Sequence, residues 1–282
     1  PSIQKHRPVS ACFGVAGPVD ETGRCVMTNL GWTLESAALE ALLSIPVQLI
    51  NDFRAQAEAI PALAQGEHVR LGGAQTWSPA LPVAVIGAGT GLGEAYLIPS
   101  PAGGFLALSG EGGHARFAPR DALEAAHLER LKSLYGEHVS YERVVSGAGL
   151  VALYETLYQE HASEITGPPL QGGPAISAAA LSSPPDPIAS EALQRFIELL
   201  ADEAANLCLK VNAGSLFISG GIAPQIEPLL RAHFARAFPK KGRYRNMLEK
   251  VYLGLVTHPT PGLLGAQVTA IRRFQERRER DG

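Results

Sequence analysis

Val47-Gln-Leu-Ile50 runs directly into Asn51-Asp52, and a helix opens from Phe53. A short apolar run ending in an Asn-Asp pair reads as a strand that delivers a carboxylate to its C-terminal end. Upstream, Leu34, Ala37, Ala38, Ala41, Leu42 and Ile45 recur at i, i+3, i+4, i+7 and i+8. That spacing predicts a helix from Thr33 with one apolar face, stopped by Pro46. Further back, Val9–Val15 is a buried strand followed by a Gly17-Pro18 turn, and Cys25–Thr28 is a second short strand. The result is a strand–helix–strand unit, and in sheets of this kind ligands gather beyond the strand C-terminal ends.

A second α/β region begins near Pro82. Val83–Ile86 is a strand, then a loop with four glycines, Gly87-Ala-Gly-Thr-Gly-Leu-Gly93, and strands at Ala95–Ile98 and Phe105–Leu108. Helices are expected over Asp121–Tyr135, with Asp121 as N-cap and Gly136 just past the end, and over Gly149–Gln159. Gly167–Pro187 is rich in Pro, Gly and Ser and reads as a mobile loop. Ser190–Val211 follows as a long helix, Ser215–Ser219 as a strand ending in Gly220-Gly221, and another helix starts near Pro224 or Gln225. Val251–Val256 is the last strand and Leu263–Arg277 a closing helix. The class is α/β in two lobes with mixed sheets flanked by helices. The expected division is 1–63 plus 261–282 for a small lobe and 64–260 for a large one.

Composition narrows the function classes. Across 282 residues, 46% are hydrophobic and 18% charged, which suits a packed globular chain. The net charge of −3 leaves no basic surplus for phosphate backbones or anionic lipid, so neither nucleic acid nor membrane is expected as a partner. Cys12, Cys25 and Cys208 are dispersed, which argues against a disulfide framework or a structural zinc site and for a reducing, cytoplasmic setting. No run of 18 apolar residues occurs.

The glycine loop carries the first chemistry. No Gly-Lys-Ser/Thr is present, and neither Gly87 nor Gly89 starts a Gly-x-Gly-x-x-Gly that leads into a helix. What remains is a tight turn whose amides, with the Thr90 hydroxyl, face an anion; an ordinary glycine-rich hairpin is the other reading. Asp52 has a parallel pair of readings. It can accept a hydroxyl proton during phosphoryl transfer, kept ionised by the helix N-terminus behind it, or it can merely cap that helix. His114, read alone, is a turn histidine, and Glu142 a solvated carboxylate at a helix start. His6, His68, His127 and His161 read as surface residues, and Lys240-Lys241-Gly-Arg243 as a solvated loop.

Taken in order, Ala16-Gly-Pro-Val19, Thr28-Asn-Leu-Gly-Trp32, Asn51-Asp-Phe53, Gly87–Gly93, Gly110-Glu-Gly-Gly-His114, Glu142-Arg-Val-Val-Ser-Gly147, Phe217-Ile-Ser-Gly-Gly-Ile222 and Pro261-Gly-Leu-Leu-Gly265 resemble the bacterial glucokinase family, a branch of the actin-like/hexokinase (ribonuclease H-like) kinases. The resemblance runs from about Val9 to about Ile271. It implies ATP and Mg²⁺ as cofactors and glucose as substrate, phosphorylated at the 6-hydroxyl with Asp52 as general base. It implies sugar contacts from Asn51, Glu111, His114 and Glu142, a phosphate loop at Gly89, Thr90 and Gly91, and adenosine-side glycines at Gly220 and Gly221. It also implies lobe closure, and homodimers are common among such kinases. Other hexose kinases, a polyphosphate donor, or a non-catalytic sugar sensor are the competing readings.

One family motif has no counterpart. Such kinases carry an Asp-x-Gly-Gly-Thr turn near the N-terminus, which meets the transferred phosphate and helps hold Mg²⁺. None occurs here, and the chain starts at Pro1 with what reads as the third strand of an incomplete first lobe. About 50 further residues are expected upstream at usual element lengths. The 282 residues made by themselves are expected to aggregate or to show negligible kinase activity.

Overall fold

A computed structural model describes residues 7–27, 31–161 and 167–281. The chain divides into two compact units, Pro1–His68 with Ala95–Ser109 and His258–Gly282, and Val69–Glu94 with Gly110–Thr257.

In the first unit, β1 (Ala11–Val15) is followed by a hairpin of β2 (Arg24–Met27) and β3 (Trp32–Glu35), then α1 (Ser36–Leu43), β4 (Val47–Asn51) and α2 (Asp52–Ala59). Strands β1 and β4 pair in parallel from Ala11↔Val47 to Val15↔Asn51, so the Asn-Asp pair sits at the shared C-terminal end. The helix expected from Thr33 starts at Ser36 instead. Trp32–Glu35 pairs antiparallel with β2, with Leu34 opposite Cys25, because the hairpin supplies ladder bonds that a first helical turn lacks. Leu34 and Leu39 pack on Val15, Cys25 and Leu49. The expected apolar face of α1 is not buried: Leu42 is 77% exposed. The helix ends where expected, with Ser44 in the left-handed region before Pro46. Thr28, Asn29 and Leu30 of the Thr28–Trp32 motif lie outside the described residues, as does His6.

The second unit begins at β5 (His68–Gly72) and contains β6 (Val83–Ala88) and the start of β7 (Leu92–Pro99); β8 (Phe105–Gly110) returns the chain to it. Then follow α3 (Ala122–Tyr135), α4 (Tyr141–Val144), α5 (Gly147–Glu160), α6 (Gly173–Ala180), α7 (Pro187–Val211), β9 (Ser215–Ile218), α8 (Glu227–Ala237), α9 (Arg245–Leu248) and β10 (Tyr252–Val256). The order β5–β10–β9–β6 places β9 between two parallel neighbours. Every residue of β6, β9 and β10 is buried, as parallel strands covered on both faces require. The expected cap pair holds: Asp121 accepts from Glu124 N, and Gly136 follows the last turn of α3 with φ 81°. The expected loop at Gly167–Pro187 contains α6, an alanine-rich helix of about two turns with Pro174 in its first turn, where its missing N–H costs no helical bond. His127 is not at the surface. It is fully buried on α3, bonded through Nδ1 to Thr156 at 2.8 Å, and burial first and Arg130 second hold it neutral, down to about 4. Lys241 is likewise no freely solvated side chain, because its Nζ reaches Asp202 at 2.7 Å.

The closing α10 (Pro261–Asp281) belongs to the first unit and packs along α2. There Glu58, 4% exposed, takes a bidentate bond from Arg272 at 2.6 and 3.1 Å. No helix of the described residues is long and apolar enough to cross a membrane.

Candidate active site

At the C-terminal end of β4 the Asn-Asp pair has divided its work. Asn51 is the cap: its Oδ1 accepts from Phe53 N at 2.9 Å and Arg54 N at 3.1 Å, and its Nδ2 donates to Gly17 O at 3.3 Å. That fills both carbonyl lone pairs and leaves one amide hydrogen for a ligand. Asp52 shares only the first of these donors and leaves the rest of the capping to Asn51. Its Oδ1 accepts from Phe53 N at 2.8 Å, and its side chain is exposed beside a cavity of about 290 Å³ bordered by Phe13, Gly14, Ala55 and Leu263. The apolar border decides the charge balance. Desolvation raises the Asp52 carboxyl above its ordinary value, against the pull of backbone N–H bonds from Phe53 and its own amide. The desolvation opposes the helix N-terminus, which was expected to keep this group ionised. A base of higher pKa is a better proton acceptor once ionised.

In the second unit the remaining sequence candidates come together. The glycine loop joins β6 to β7 as a bend in which Gly89 N–H donates to Gly91 O at 2.8 Å. That amide is used internally, so the expected turn has a smaller cradle. Thr90 and Gly91 are the amides without a protein acceptor among the described residues, and Thr90 is exposed. Gly89 O accepts from Gly147 N at 2.9 Å, the first residue of α5, whose cap is Ser146. Ile222 N reaches Ala88 O at 3.4 Å, which brings Gly220-Gly221 against the end of β6.

Glu142 closes the group. It lies in the first turn of α4, and its Oε2 accepts from Leu92 N at 3.2 Å, directly after the glycine loop. A Cβ on Gly91 would lie 2.4 Å from that oxygen, so any larger residue there would push the Glu142 carboxylate aside. Tyr141 N donates to Ala115 O at 3.0 Å, which draws the Gly110–His114 segment towards the same place. His114 Nδ1 stands 3.9 Å from Glu142 Oε1, and its Nε2 stands 3.7 Å from Glu111 Oε2. Glu111 and His114 are about 60% exposed and Glu142 26%, so their polar atoms are open to a ligand. Two carboxylates and an imidazole at this spacing suit a ring of hydroxyls, beside amides that suit a phosphate.

One buried carboxyl was not anticipated. Glu94, on β7, is 1% exposed and meets the underside of Gly112. The signal available in the sequence was a Glu two residues after Leu92, on the inward alternation of an otherwise apolar strand. Among the described residues no group of three or more His, Cys, Asp or Glu could hold a metal.

The fold and this site define the actin-like/hexokinase class of two-lobed α/β sugar kinases. The crystal structure of a glucokinase from an Antarctic psychrotroph matches with a TM-score of 0.81 at 32% identity, over 96% of this chain and 83% of that one. The glucokinase of Balamuthia mandrillaris, solved in complex with glucose, matches at 0.76 and 25%, over 93% of this chain and 77% of that one. A glucokinase of Trichormus variabilis is 38% identical over 297 residues, 96% of this chain and 84% of the relative. The glucokinase family model matches residues 2–273, and the chain belongs to that family.

Proposed function

We propose that this protein transfers the γ-phosphoryl group of ATP to the 6-hydroxyl of glucose. The observation that carries the reading is the Leu92 N–H to Glu142 bond, which ties a hydroxyl-binding cluster to the end of a phosphate-type loop. Glu111, His114 and Glu142 hold the sugar hydroxyls, and Asn51 offers its spare amide hydrogen. A site built to satisfy each hydroxyl rejects a sugar that leaves one of its own groups unpaired. The amides of Thr90 and Gly91 and the Thr90 hydroxyl face phosphate oxygens, with Gly220 and Gly221 on the adenosine side.

Asp52 accepts the proton of the 6-hydroxyl. The hydroxyl oxygen forms its bond to the γ-phosphorus as the bond to the bridging oxygen breaks, and ADP leaves. Magnesium, when bound with the nucleotide, would neutralise charge on the phosphate oxygens. The net charge of −3 supports a small-molecule partner rather than a nucleic acid.

Asp52→Ala in the full-length protein tests the assignment. Turnover should fall by roughly 10²–10⁴-fold, the usual contribution of a positioned base, while glucose still binds. Unchanged turnover would remove Asp52 from this role.

A further inference from the structure

Glu94 is the least expected side chain in the second unit. It is 1% exposed, and neither carboxyl oxygen finds a hydrogen-bond partner of good geometry among the described residues. A buried carboxylate without donors is heavily penalised, so the group must be the neutral acid or be exchanged for something apolar. Nothing apolar has replaced it, and its surroundings have a plan. On one side is Glu203 of α7, also 1% exposed, which holds Asn206 Nδ2 at 2.8 Å and Lys210 Nζ at 3.5 Å. On the other side is Gly112: a Cβ there would lie 1.8 Å from Glu94 Oε2, so the loop backbone rests directly on the carboxyl. Gly113 is as close to β7, its Cβ position 2.3 Å from Leu92 O.

We propose that Glu94 is a positioning residue: as a neutral acid directed at the anchored Glu203 carboxylate, it forms the floor on which the Gly110–His114 loop sits, and so aims Glu111 and His114. It touches no substrate in this account. The inference rests on the reading of Glu111 and His114 as sugar contacts.

The titratable groups that act on Glu94 are Glu203 and Lys210, both from α7, while the loop side meets it through Gly112. Burial first, and the Glu203 charge second, push the Glu94 carboxyl up to about 8, with Lys210 opposing. The acid is thus neutral below that value. It ionises as pH rises through it, and a carboxylate so placed must move or draw in water, which lifts the loop.

The test uses the full-length protein with Glu94→Ala and Glu94→Gln. Two readouts are taken: hydrogen exchange of the 110–115 backbone without ligand, and the KM values for glucose and ATP. Glu94→Ala should raise the loop exchange rate and the glucose KM each by roughly tenfold or more, as sub-ångström to 1 Å misplacement does, with the ATP KM unchanged. Glu94→Gln, neutral at every pH and of nearly the same shape, should restore both. The wild-type glucose KM should climb between pH 7 and pH 9, and that of Glu94→Gln should stay flat. Wild-type exchange and KM in Glu94→Ala would overturn the proposal. Faster exchange with no change in glucose KM would uphold the positioning role and sink the sugar-contact reading beneath it. If Glu94→Ala does not fold, the pH comparison decides, and parallel wild-type and Glu94→Gln profiles overturn the proposal.

Discussion

Gly91→Ala is the smallest change that should separate the two halves of the site. The added Cβ would stand 2.4 Å from Glu142 Oε2 and 3.1 Å from its Cδ. Ordinary carbon–oxygen contact needs roughly 1 Å more, so Glu142 or the loop must move by about that amount. Glu142 then leaves the Leu92 N–H, which it holds at 3.2 Å. Hydrogen bonds to charged groups contribute about 1.5–3 kcal/mol, and the 26% exposure of this carboxylate puts it at the low end. The larger effect is on alignment. A displacement of about 1 Å costs on the order of 10²-fold, or about 2.7 kcal/mol of transition-state stabilisation. Steady-state kinetics with a coupled ADP assay should show that loss in kcat/KM for glucose. Gly89→Ala is the comparator, because its Cβ meets no protein atom within 4 Å. It should raise the ATP KM and leave the glucose KM unchanged. A Gly91→Ala variant within about threefold of wild type, far less than the misplacement estimate, would refute the link between loop and Glu142.

Three further outcomes follow from charge. Arg272→Met removes the bidentate bond to Glu58, 4% exposed between α2 and α10, leaving it Arg54 at 3.9 Å, and should destabilise the protein by about 1–3 kcal/mol in urea unfolding; adding Glu58→Leu should recover most of it. Asp52 works only when ionised, so activity is lost as pH falls through its folded pKa. Desolvation raises that value, which puts the acid limb of kcat/KM above the ordinary 3.8, and a limb at or below 3.8 would contradict the placement. The same raised pKa makes the native state bind this proton more readily than the unfolded chain does. This carboxyl therefore lowers stability as pH rises past 3.8.

Much of this architecture was legible in the sequence where local signals were strong. Pro46 ended α1, Asp121 and Gly136 bracketed α3, and buried apolar runs marked β6, β9 and β10. Signals failed where a pairing partner decided the outcome. Trp32–Glu35 carries a helical period but is held as strand by β2, a contact that periodicity cannot express. Around α6, Pro and Gly read as loop punctuation, although Gly172 and Pro174 here start a helix. In the site, residue types and order brought Glu111, His114, Glu142 and the glycine loop into consideration together. Their contacts run through backbone groups such as Leu92 N and Ala115 O, which leave no trace in composition. Glu94 was hidden for a related reason. A single acidic residue in a strand reads as a solvent-facing position until both of its neighbours are known.

The most direct test of the central claim is the product itself. Incubation of the full-length protein with ATP, magnesium and glucose, followed by phosphorus NMR, should show glucose 6-phosphate formed in equal amount with ADP, and Asp52→Ala should form almost none. ATP consumed without a sugar phosphate, phosphate on another hydroxyl, or the same product rate from Asp52→Ala would contradict the account.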